Sequence, residues 1–219
     1  MLYSNAGYVV AGVLMEMVSG REFTALMSEK IFKPLGLTTA GYGFAPETGT
    51  PAQPWGHVWD PSSRSLKAVQ EDDVHWLDPA GNVRLSITDW SRFILAQLPS
   101  GQANPCPFLK PEILEKLHTP PDQVSWAYGE DYFTFWKKET GWPLTSANYA
   151  LGWFVTESKT DQSTLNHGGT SQAFQAEVYL SPKRKIAILI ATNARMGHIH
   201  LYRTAVRINE AYDLKIDLP

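Results

Sequence analysis

The spacing of apolar residues predicts four helices in the first part of the chain. Apolar side chains recur there every three or four residues, as one buried face of a helix requires. The first predicted helix ends at Ser19-Gly20 and the second ends before Pro34, since glycine and proline both terminate helices. The third begins at Ser86 with Asp89 placed as in a capping box, and Pro111 opens the fourth. The predicted core-facing residues are Val9, Val10, Val13, Leu14 and Met17, then Phe23, Leu26, Met27 and Ile31, then Trp90, Phe93, Ile94 and Leu98, and last Ile113, Leu114 and Leu117.

The pattern changes near Tyr149 from helical spacing to that of β-strands. Segments rich in aromatic and β-branched residues predict strands over 149–157, 164–166, 174–180 and 185–193. In the third segment, Gln175 and Glu177 face away from Val178. The continuous apolar run within the last segment suits a strand that is buried on both faces. A final helix is predicted from residues that return to helical spacing, which are Leu201, Ala205, Ile208 and Tyr212.

Helices followed by antiparallel strands and one further helix predict an α+β fold. We expect residues 1–148 to form a helical, loop-rich region and residues 149–219 to form the strands and the last helix, as one structural unit. The segments 40–85 and 99–148 are rich in Gly, Pro, Trp and Tyr. Because they are too long for simple connections, we expect them to shape a binding cleft.

Composition narrows the classes of partner. The chain has 219 residues, of which 43% are hydrophobic and 19% charged, and its net charge is −3. Nothing in this composition favours nucleic acid, and no apolar run approaches the roughly 20 residues of a membrane span. Cys106 is the single cysteine. His198 and His200 would diverge on a helix, so we predict no metal site and no cofactor.

Four short motifs occur in a fixed order along the chain. They are Tyr3-Ser4-Asn5 at the start of a helix, Pro79-Ala80-Gly81 followed by Ser86-Ile87-Thr88-Asp89, Leu151-Gly152-Trp153, and His167-Gly168-Gly169. Together they resemble the serine β-lactamase-like and penicillin-binding-protein-like superfamily. Within it, the set is most similar to the branch of class C β-lactamases, DD-peptidases and related esterases, over nearly all of residues 3–213.

The resemblance implies a site built from three converging motifs: Ser-x-x-Lys, Tyr-x-Asn, and Lys-Thr-Gly or its histidine variant. On this chain it implies that Tyr3 and His167 are catalytic, with Tyr3 relaying protons. Asn5 would orient the substrate through its amide. Gly168 and Gly169 would let substrate lie close against a strand, and the N–H of Thr170 would help to hold an oxyanion.

The chain departs from the family in its nucleophile motif. No serine is followed three residues later by lysine, and only Met1 and Leu2 precede Tyr3. Thr134 and Thr156 have a lysine at that spacing, but both follow the tyrosine motif and fall in the wrong order. We therefore interpret the sequence as a partial β-lactamase-like fold, truncated before its nucleophile and without its N-terminal strands.

Two functions remain open from the sequence. The first is a serine hydrolase scaffold for amide or ester hydrolysis of β-lactams, D-alanyl peptides or small esters, inactive or weakly active alone. The second is a non-catalytic relic or binding module that retains the cleft. The compartment stays open: the family is often periplasmic or secreted, and we see no signal peptide in this chain.

The same interpretation predicts self-association. The superfamily fold places N-terminal strands beside the last C-terminal strand. Without them, the strand containing residues 186–191 would keep an open apolar edge, which invites pairing with another chain. We therefore predict a homo-oligomer or a domain swap through that edge, in addition to a small-molecule ligand.

Overall fold

The computed structural model of the chain describes residues 3–43, 54–69, 74–99, 108–121, 138, 146–157, 163–195 and 197–218. It divides into two compact units, residues 3–93 and residues 94–219. Within the described ranges, no helix combines the length and the apolar character that crossing a membrane requires. The predicted boundary near residue 148 stays a prediction, since most of 122–145 lies outside the described residues.

The predicted helices are present, and the fold class is α+β as expected. The helices are α1 (Asn5–Ser19), α2 (Phe23–Met27), which continues as a π-helical turn (Ser28–Phe32), α3 (Asp78–Gly81), which follows a 3₁₀ turn (His75–Leu77), α4 (Ile87–Leu95), α5 (Pro111–His118) and α6 (His198–Ala211). Gly20 ends α1 in the left-handed conformation, with φ 67°, and its N–H donates to the carbonyl of Glu16 at 2.8 Å. The predicted stop at Ser19-Gly20 is therefore confirmed, and glycine is the residue that this cap favours.

The predicted apolar face of α1 is not its buried face within this unit. Val10 is 58% exposed and Met17 is 75% exposed, although both were predicted to face the core. The one buried residue of the helix is Gly12, and its missing side chain leaves room for the ring of Pro79 on α3. α1 therefore packs through a glycine and a proline ring, a close backbone approach that apolar periodicity does not reveal.

The capping-box start of α4 is confirmed in one of its two hydrogen bonds. The N–H of Asp89 donates to the hydroxyl of Ser86 at 3.2 Å. The N–H of Ser86 instead donates to the hydroxyl of Thr39 at 2.9 Å, and the carboxylate of Asp89 accepts from Thr39 as well. Thr39, about fifty positions earlier in the chain, thus accepts the hydrogen bond that the carboxylate of Asp89 would accept in a complete capping box.

The segment 40–85 contains small sheets where the sequence predicted loops. β1 (Gly41–Tyr42) pairs antiparallel with β4 (Val83–Arg84), and β2 (Gly56–Asp60) pairs antiparallel with β3 (Ser65–Val69). The hairpin turn between β2 and β3 is held by Asp60, which accepts hydrogen bonds from Ser62 and Ser63. Such short strands carry little periodic signal, so composition alone predicted a loop.

The second unit is built on a five-stranded antiparallel sheet in the order β5-β6-β7-β8-β9. The strands are β5 (Ser146–Tyr149), β6 (Phe154–Glu157), β7 (Ser163–Thr170), β8 (Gln175–Ser181) and β9 (Ile186–Thr192). The predicted strand 149–157 is wrong as one continuous element, because the chain reverses between Tyr149 and Phe154. Gly152 has φ 92° in that reversal, a conformation that glycine adopts at little cost.

The helix α6 packs on β8 and β9 and completes the core of this unit. The buried cluster comprises Tyr179, Ile188, Tyr202, Ala205 and Ile216. Leu201 and Ala205 are buried as predicted, but Tyr212 follows the helix and is 74% exposed. The prediction that Tyr212 faces the core is therefore wrong, since the helix ends one residue before it.

Candidate active site

The His-Gly-Gly-Thr segment forms the end of β7, beyond the residues that pair with β6. β6 pairs with residues 163–166 of β7, whereas β8 pairs with residues 165–170. Among the described strands, residues 167–170 therefore have a ladder partner on one side only. An extended ligand can add to such an edge through main-chain hydrogen bonds. The exposed Gly169 also places no side chain in its way.

His167 is held on this edge as a neutral imidazole. Its Nδ1 lies 2.9 Å from the carbonyl oxygen of Gly168, and its Nε2 lies 3.1 Å from the hydroxyl of Tyr149. Burial lowers the pKa of His167, and the hydrogen bond to Gly168 opposes that shift. Because a carbonyl can only accept, Nδ1 carries the proton, and the Tyr149 hydroxyl donates to Nε2. His167 therefore differs from a lysine in charge as well as in shape.

Aromatic rings fix the orientation of that imidazole. The ring of Phe154 lies 5.2 Å from the ring of His167, and the buried ring of Tyr149 lies 6.0 Å from it. Tyr149 and Phe154 are opposite each other in the β5–β6 hairpin. The Leu151-Gly152-Trp153 motif, which forms part of the turn between them, thus supports the histidine motif indirectly.

Gly168 provides space for a carboxylate. Glu177 stands opposite Gly168 on β8 and is only 7% exposed. A Cβ atom on residue 168 would lie 2.5 Å from Oε1 of Glu177, closer than any van der Waals contact allows. The carboxylate of Glu177 contacts Nδ1 of His198, the first residue of α6. A side chain at position 168 would therefore displace the carboxylate of Glu177.

The Tyr-x-Asn motif lies at the start of α1, in the first unit. Ser4 is the N-cap, and its hydroxyl accepts from the N–H of Gly7 at 3.4 Å. Asn5 is the first residue of the helix and is exposed, while Tyr3 is half-buried with its ring 6.4 Å from that of Tyr8. Because Ser4 supplies the cap, the amide of Asn5 is not used for that purpose.

The predicted site residues are distributed over both units. Tyr3 and Asn5 belong to the unit of residues 3–93, whereas His167, Gly168, Gly169 and Thr170 belong to the unit of residues 94–219. The structure brings the four residues of the second group together at the end of β7. That the two motifs converge on one ligand stays a prediction.

Sequence reasoning missed Tyr149, Glu177 and His198 as parts of this region. Glu177 and Gln175 were predicted to face away from Val178, and they do, but both are buried. Gln175 accepts a hydrogen bond from the N–H of Gly197 at 3.1 Å, which anchors the start of α6. The available signal was two polar residues in alternation within a predicted strand, since polar residues on a buried face require partners.

The first unit also contains a cleft, which does not include the Tyr-x-Asn motif of the same unit. It has a volume of about 960 Å³ and is lined by residues of α1 together with Phe23, Tyr42, Trp76 and Pro79. Burial raises the pKa of Tyr42, and the nearby Asp78 adds to this effect. Neither Tyr3 nor Asn5 lines it. Among the described residues, no cluster of three or more His, Cys, Asp or Glu side chains is arranged to hold a metal ion.

Comparison with known proteins decides the family. The model of the Beta-lactamase family matches residues 1–209. The chain belongs to the Beta-lactamase family. The scaffold is therefore that of a β-lactamase and penicillin-binding-protein family hydrolase, as the four motifs indicated.

Three proteins illustrate the relationship within the Beta-lactamase family. Protein flp of Staphylococcus aureus (strain NCTC 8325 / PS 47) is 23% identical over 211 residues, which cover 90% of this chain and 34% of flp. A D-aminopeptidase of Brucella anthropi is 33% identical over 95 residues, covering 42% of this chain and 17% of that enzyme. The octameric penicillin-binding protein homologue from Pyrococcus abyssi superposes with a TM-score of 0.74 at 16% identity, over 100% of this chain and 44% of that one.

The chain spans only part of the length of these Beta-lactamase family relatives. The chain spans about a third of the length of flp and less than half of the Pyrococcus abyssi protein. The structural likeness at 16% identity establishes the fold. The activity and assembly of the longer proteins are not transferred by it.

Proposed function

We propose that the chain carries the substrate-facing part of a β-lactamase family hydrolase site, for amide or ester bonds in β-lactams, D-alanyl peptides or small esters. The observation that carries the proposal is the His-Gly-Gly-Thr segment of β7, which pairs on one side only among the strands that the structure describes. A ligand carbonyl and N–H group can pair with that edge, and Gly168 and Gly169 allow close approach. The matched D-aminopeptidase supports an amide or peptide with D stereochemistry.

Each motif residue has a distinct role in this proposal. Tyr3 relays protons to and from the reacting groups, and Asn5 orients the substrate by hydrogen bonds from its amide. His167 is neutral, so its role is to hold the ligand by hydrogen bonding and not by a positive charge. The N–H of Thr170 donates to the oxyanion that develops on the substrate carbonyl.

The 219 residues contain no Ser-x-x-Lys motif, and this sets the expected rate. A nucleophile of that type supplies most of the acceleration in serine hydrolases, while oriented donors retain a small part of it. We therefore propose that this chain alone hydrolyses family substrates weakly. The same observation favours a second function, a binding module that holds family ligands without turnover.

We expect Tyr3→Phe to abolish the residual hydrolysis of a chromogenic β-lactam. The substitution removes the hydroxyl that relays protons, an effect of about 100-fold or more. Initial rates of hydrolysis, measured with protein in excess over substrate, report this loss. The matched control is Tyr212→Phe, because Tyr212 is 74% exposed and outside the motifs.

Two outcomes separate the two functions. Turnover by the natural chain that disappears in Tyr3→Phe but persists in Tyr212→Phe supports the hydrolase. Absence of turnover in all three proteins, with the circular dichroism spectrum of a folded chain, leaves the binding module. Equal turnover in Tyr3→Phe and the natural chain would contradict the role given to Tyr3.

We further propose that the chain self-associates through β9. It is the last strand of the sheet order, and its sequence from Ile186 to Ala191 is continuously apolar. Among the described strands, only β8 pairs with it. Exposed apolar edges of this kind pair with further strands.

Ala191→Lys is expected to convert an oligomer to a monomer. Ala191 is exposed on β9, and a lysine on an edge strand opposes the approach of a second strand. Sedimentation velocity measures the change, with Thr204→Lys on the exposed side of α6 as the control. A monomeric natural chain, or an oligomer that Ala191→Lys leaves intact, would rule out this edge as the interface.

A further inference from the structure

A glutamate, a histidine and a threonine form a hydrogen-bonded chain beside the His-Gly-Gly motif. The carboxylate of Glu177 contacts Nδ1 of His198, and Nε2 of His198 lies 3.1 Å from Oγ1 of Thr170. The acid is on β8, the imidazole is at the start of α6, and the hydroxyl is at the end of β7. Three separate elements therefore meet to form the chain of contacts.

The direction of the hydrogen bonds follows from the acid. A carboxylate accepts, so Nδ1 of His198 carries the proton and donates to Glu177. In the neutral form of the imidazole, Nε2 is then an acceptor, and the hydroxyl of Thr170 donates to it. This is the order of an acid that orients a base and a base that takes a proton from a nucleophile.

The exposure of the three side chains increases from Glu177 to His198 and Thr170, as the proposed chemistry requires. The side chain of Glu177 is 10% exposed and that of His198 is 43% exposed. Thr170 is exposed at the open edge of β7. The acid is thus shielded from solvent, whereas the hydroxyl at the other end is accessible to a small molecule.

The surrounding backbone holds the three groups in place. Gly168 has no Cβ, and this absence provides the space that the carboxylate of Glu177 occupies. Gly197 precedes α6 with φ 90°, a conformation that favours glycine. Its N–H donates to Gln175 at 3.1 Å, which fixes the residue just before His198.

We propose that Thr170 is a nucleophile activated by His198 and Glu177, and that it accepts the acyl group of activated esters. Oγ1 of Thr170 forms a bond to the ester carbonyl carbon while its proton passes to Nε2 of His198. The C–O bond to the leaving alcohol then breaks, and the alcohol takes up that proton. The product is an ester of Thr170, which water hydrolyses with His198 again as the base.

The geometry also sets the class of substrate. The N–H of Ser171, the residue after Thr170, donates to the carbonyl of Phe174 at 3.0 Å. It is therefore committed within the turn, and it does not stabilise an oxyanion at Thr170. Loss of one such donor costs about 100-fold to 1,000-fold in rate. Esters with good leaving groups react under these conditions, amides do not, and the acyl group accumulates on Thr170.

The inference uses the side chain of Thr170, whereas the proposed hydrolase site uses its backbone N–H, so the two are tested separately. The probe is p-nitrophenyl acetate, followed by digestion and tandem mass spectrometry. Alkaline hydroxylamine distinguishes the products, because it removes acetyl esters of hydroxyl side chains and leaves acetyl-lysine intact. We expect a hydroxylamine-labile acetyl group on Thr170 of the natural chain.

Variants test the activation. Thr170→Val is expected to lose the labile acetyl group and Thr170→Ser to keep it. His198→Gln is expected to slow its formation by about 100-fold or more, the usual contribution of a general base. Thr204→Val is the control, because Thr204 is exposed on α6 and its hydroxyl donates to the carbonyl of His200. It is expected to match the natural chain.

Two results would contradict the activation of Thr170 by His198. Labile acetylation at other residues only, or at an equal rate in His198→Gln, would overturn the proposal. If Thr170→Val does not fold, as its circular dichroism would show, the comparison of Thr170→Ser with Thr170→Ser/His198→Gln decides. The readout is the position of the acetyl group, so it does not depend on the outcome of the Tyr3→Phe assay.

Discussion

Asp89→Asn is expected to lower the free energy of unfolding by about 1.5 to 3 kcal/mol, the range for hydrogen bonds to a charged group. Asp89 is 2% exposed. Its Oδ2 accepts from the N–H and from the hydroxyl of Thr39, each at 2.7 Å. Its Oδ1 pairs with Arg92. Asparagine replaces one acceptor oxygen by a donor group, so at least one of these contacts is lost.

The loss is also expected to depend on pH. The hydroxyl of Thr39 is the main cause of a lowered pKa for Asp89, followed by the N–H of Thr39 and by Arg92, while burial opposes the shift. A lowered folded-state pKa contributes stability above the unfolded pKa of about 4, and this stability is lost as pH falls through the folded pKa. The natural chain and Asp89→Asn should therefore differ most near neutral pH and converge as the pH falls below the unfolded pKa of about 4 and through the folded-state pKa.

Urea unfolding near neutral pH and at a pH below about 4 measures this effect. Asp213→Asn is the matched control, since Asp213 has a side chain 78% exposed and pairs only at the surface with Lys215. A surface pair of that kind is worth little, and the control should change stability by less than about 0.5 kcal/mol. Equal effects of both substitutions, or a difference at Asp89 that does not change with pH, would refute the role given to the carboxylate.

Gly12→Ala is expected to destabilise the first unit, because overpacking usually costs about 1 to 3 kcal/mol. A Cβ on residue 12 would lie 2.4 Å from Cγ and 2.6 Å from Cβ of Pro79. The proline ring is rigid, so α1 and α3 must move apart. This cost exceeds the roughly 1 kcal/mol that alanine gains over glycine from helix propensity.

Gly7→Ala is the matched control on the same helix. No atom lies within 4 Å of a Cβ built there, so only the helix propensity changes. We expect a gain of about 0.5 to 1 kcal/mol. Thermal unfolding of the two variants should therefore shift in opposite directions. A stabilised Gly12→Ala variant would show that α1 does not pack on Pro79 through its glycine.

The sequence predicted the elements whose periodic pattern continues over many residues. It failed where packing is decided by contacts between residues far apart in the chain. The end of α1 at Gly20 and the strands around residues 167 and 178 follow from local pattern. The buried face of α1 does not, because Gly12 meets Pro79 across 67 positions of sequence. A hydrophobic stripe indicates which residues can be buried, and the tertiary partner decides which are.

The candidate site shows the same division. The ordered motifs identified His167, Gly168, Gly169 and Thr170, and the structure places them on one strand edge. Tyr149 could not be predicted as the partner of His167, because it reaches the imidazole only through the hairpin of β5 and β6. Glu177 and His198 meet because β8 and α6 pack together, a contact without a local signature.

In the proposed function, residues 167–170 form the ligand-facing edge of this β-lactamase family scaffold. The most direct measurement is an NMR titration of the ¹⁵N-labelled chain with a penicillin and with a D-alanyl-D-alanine peptide. We expect the amide signals of Gly168, Gly169 and Thr170 to shift on addition of ligand, while those of Ile188 and its neighbours on β9 stay in place. Signals of the β7 edge that remain unchanged at saturating ligand, or shifts confined to other elements, would contradict the claim.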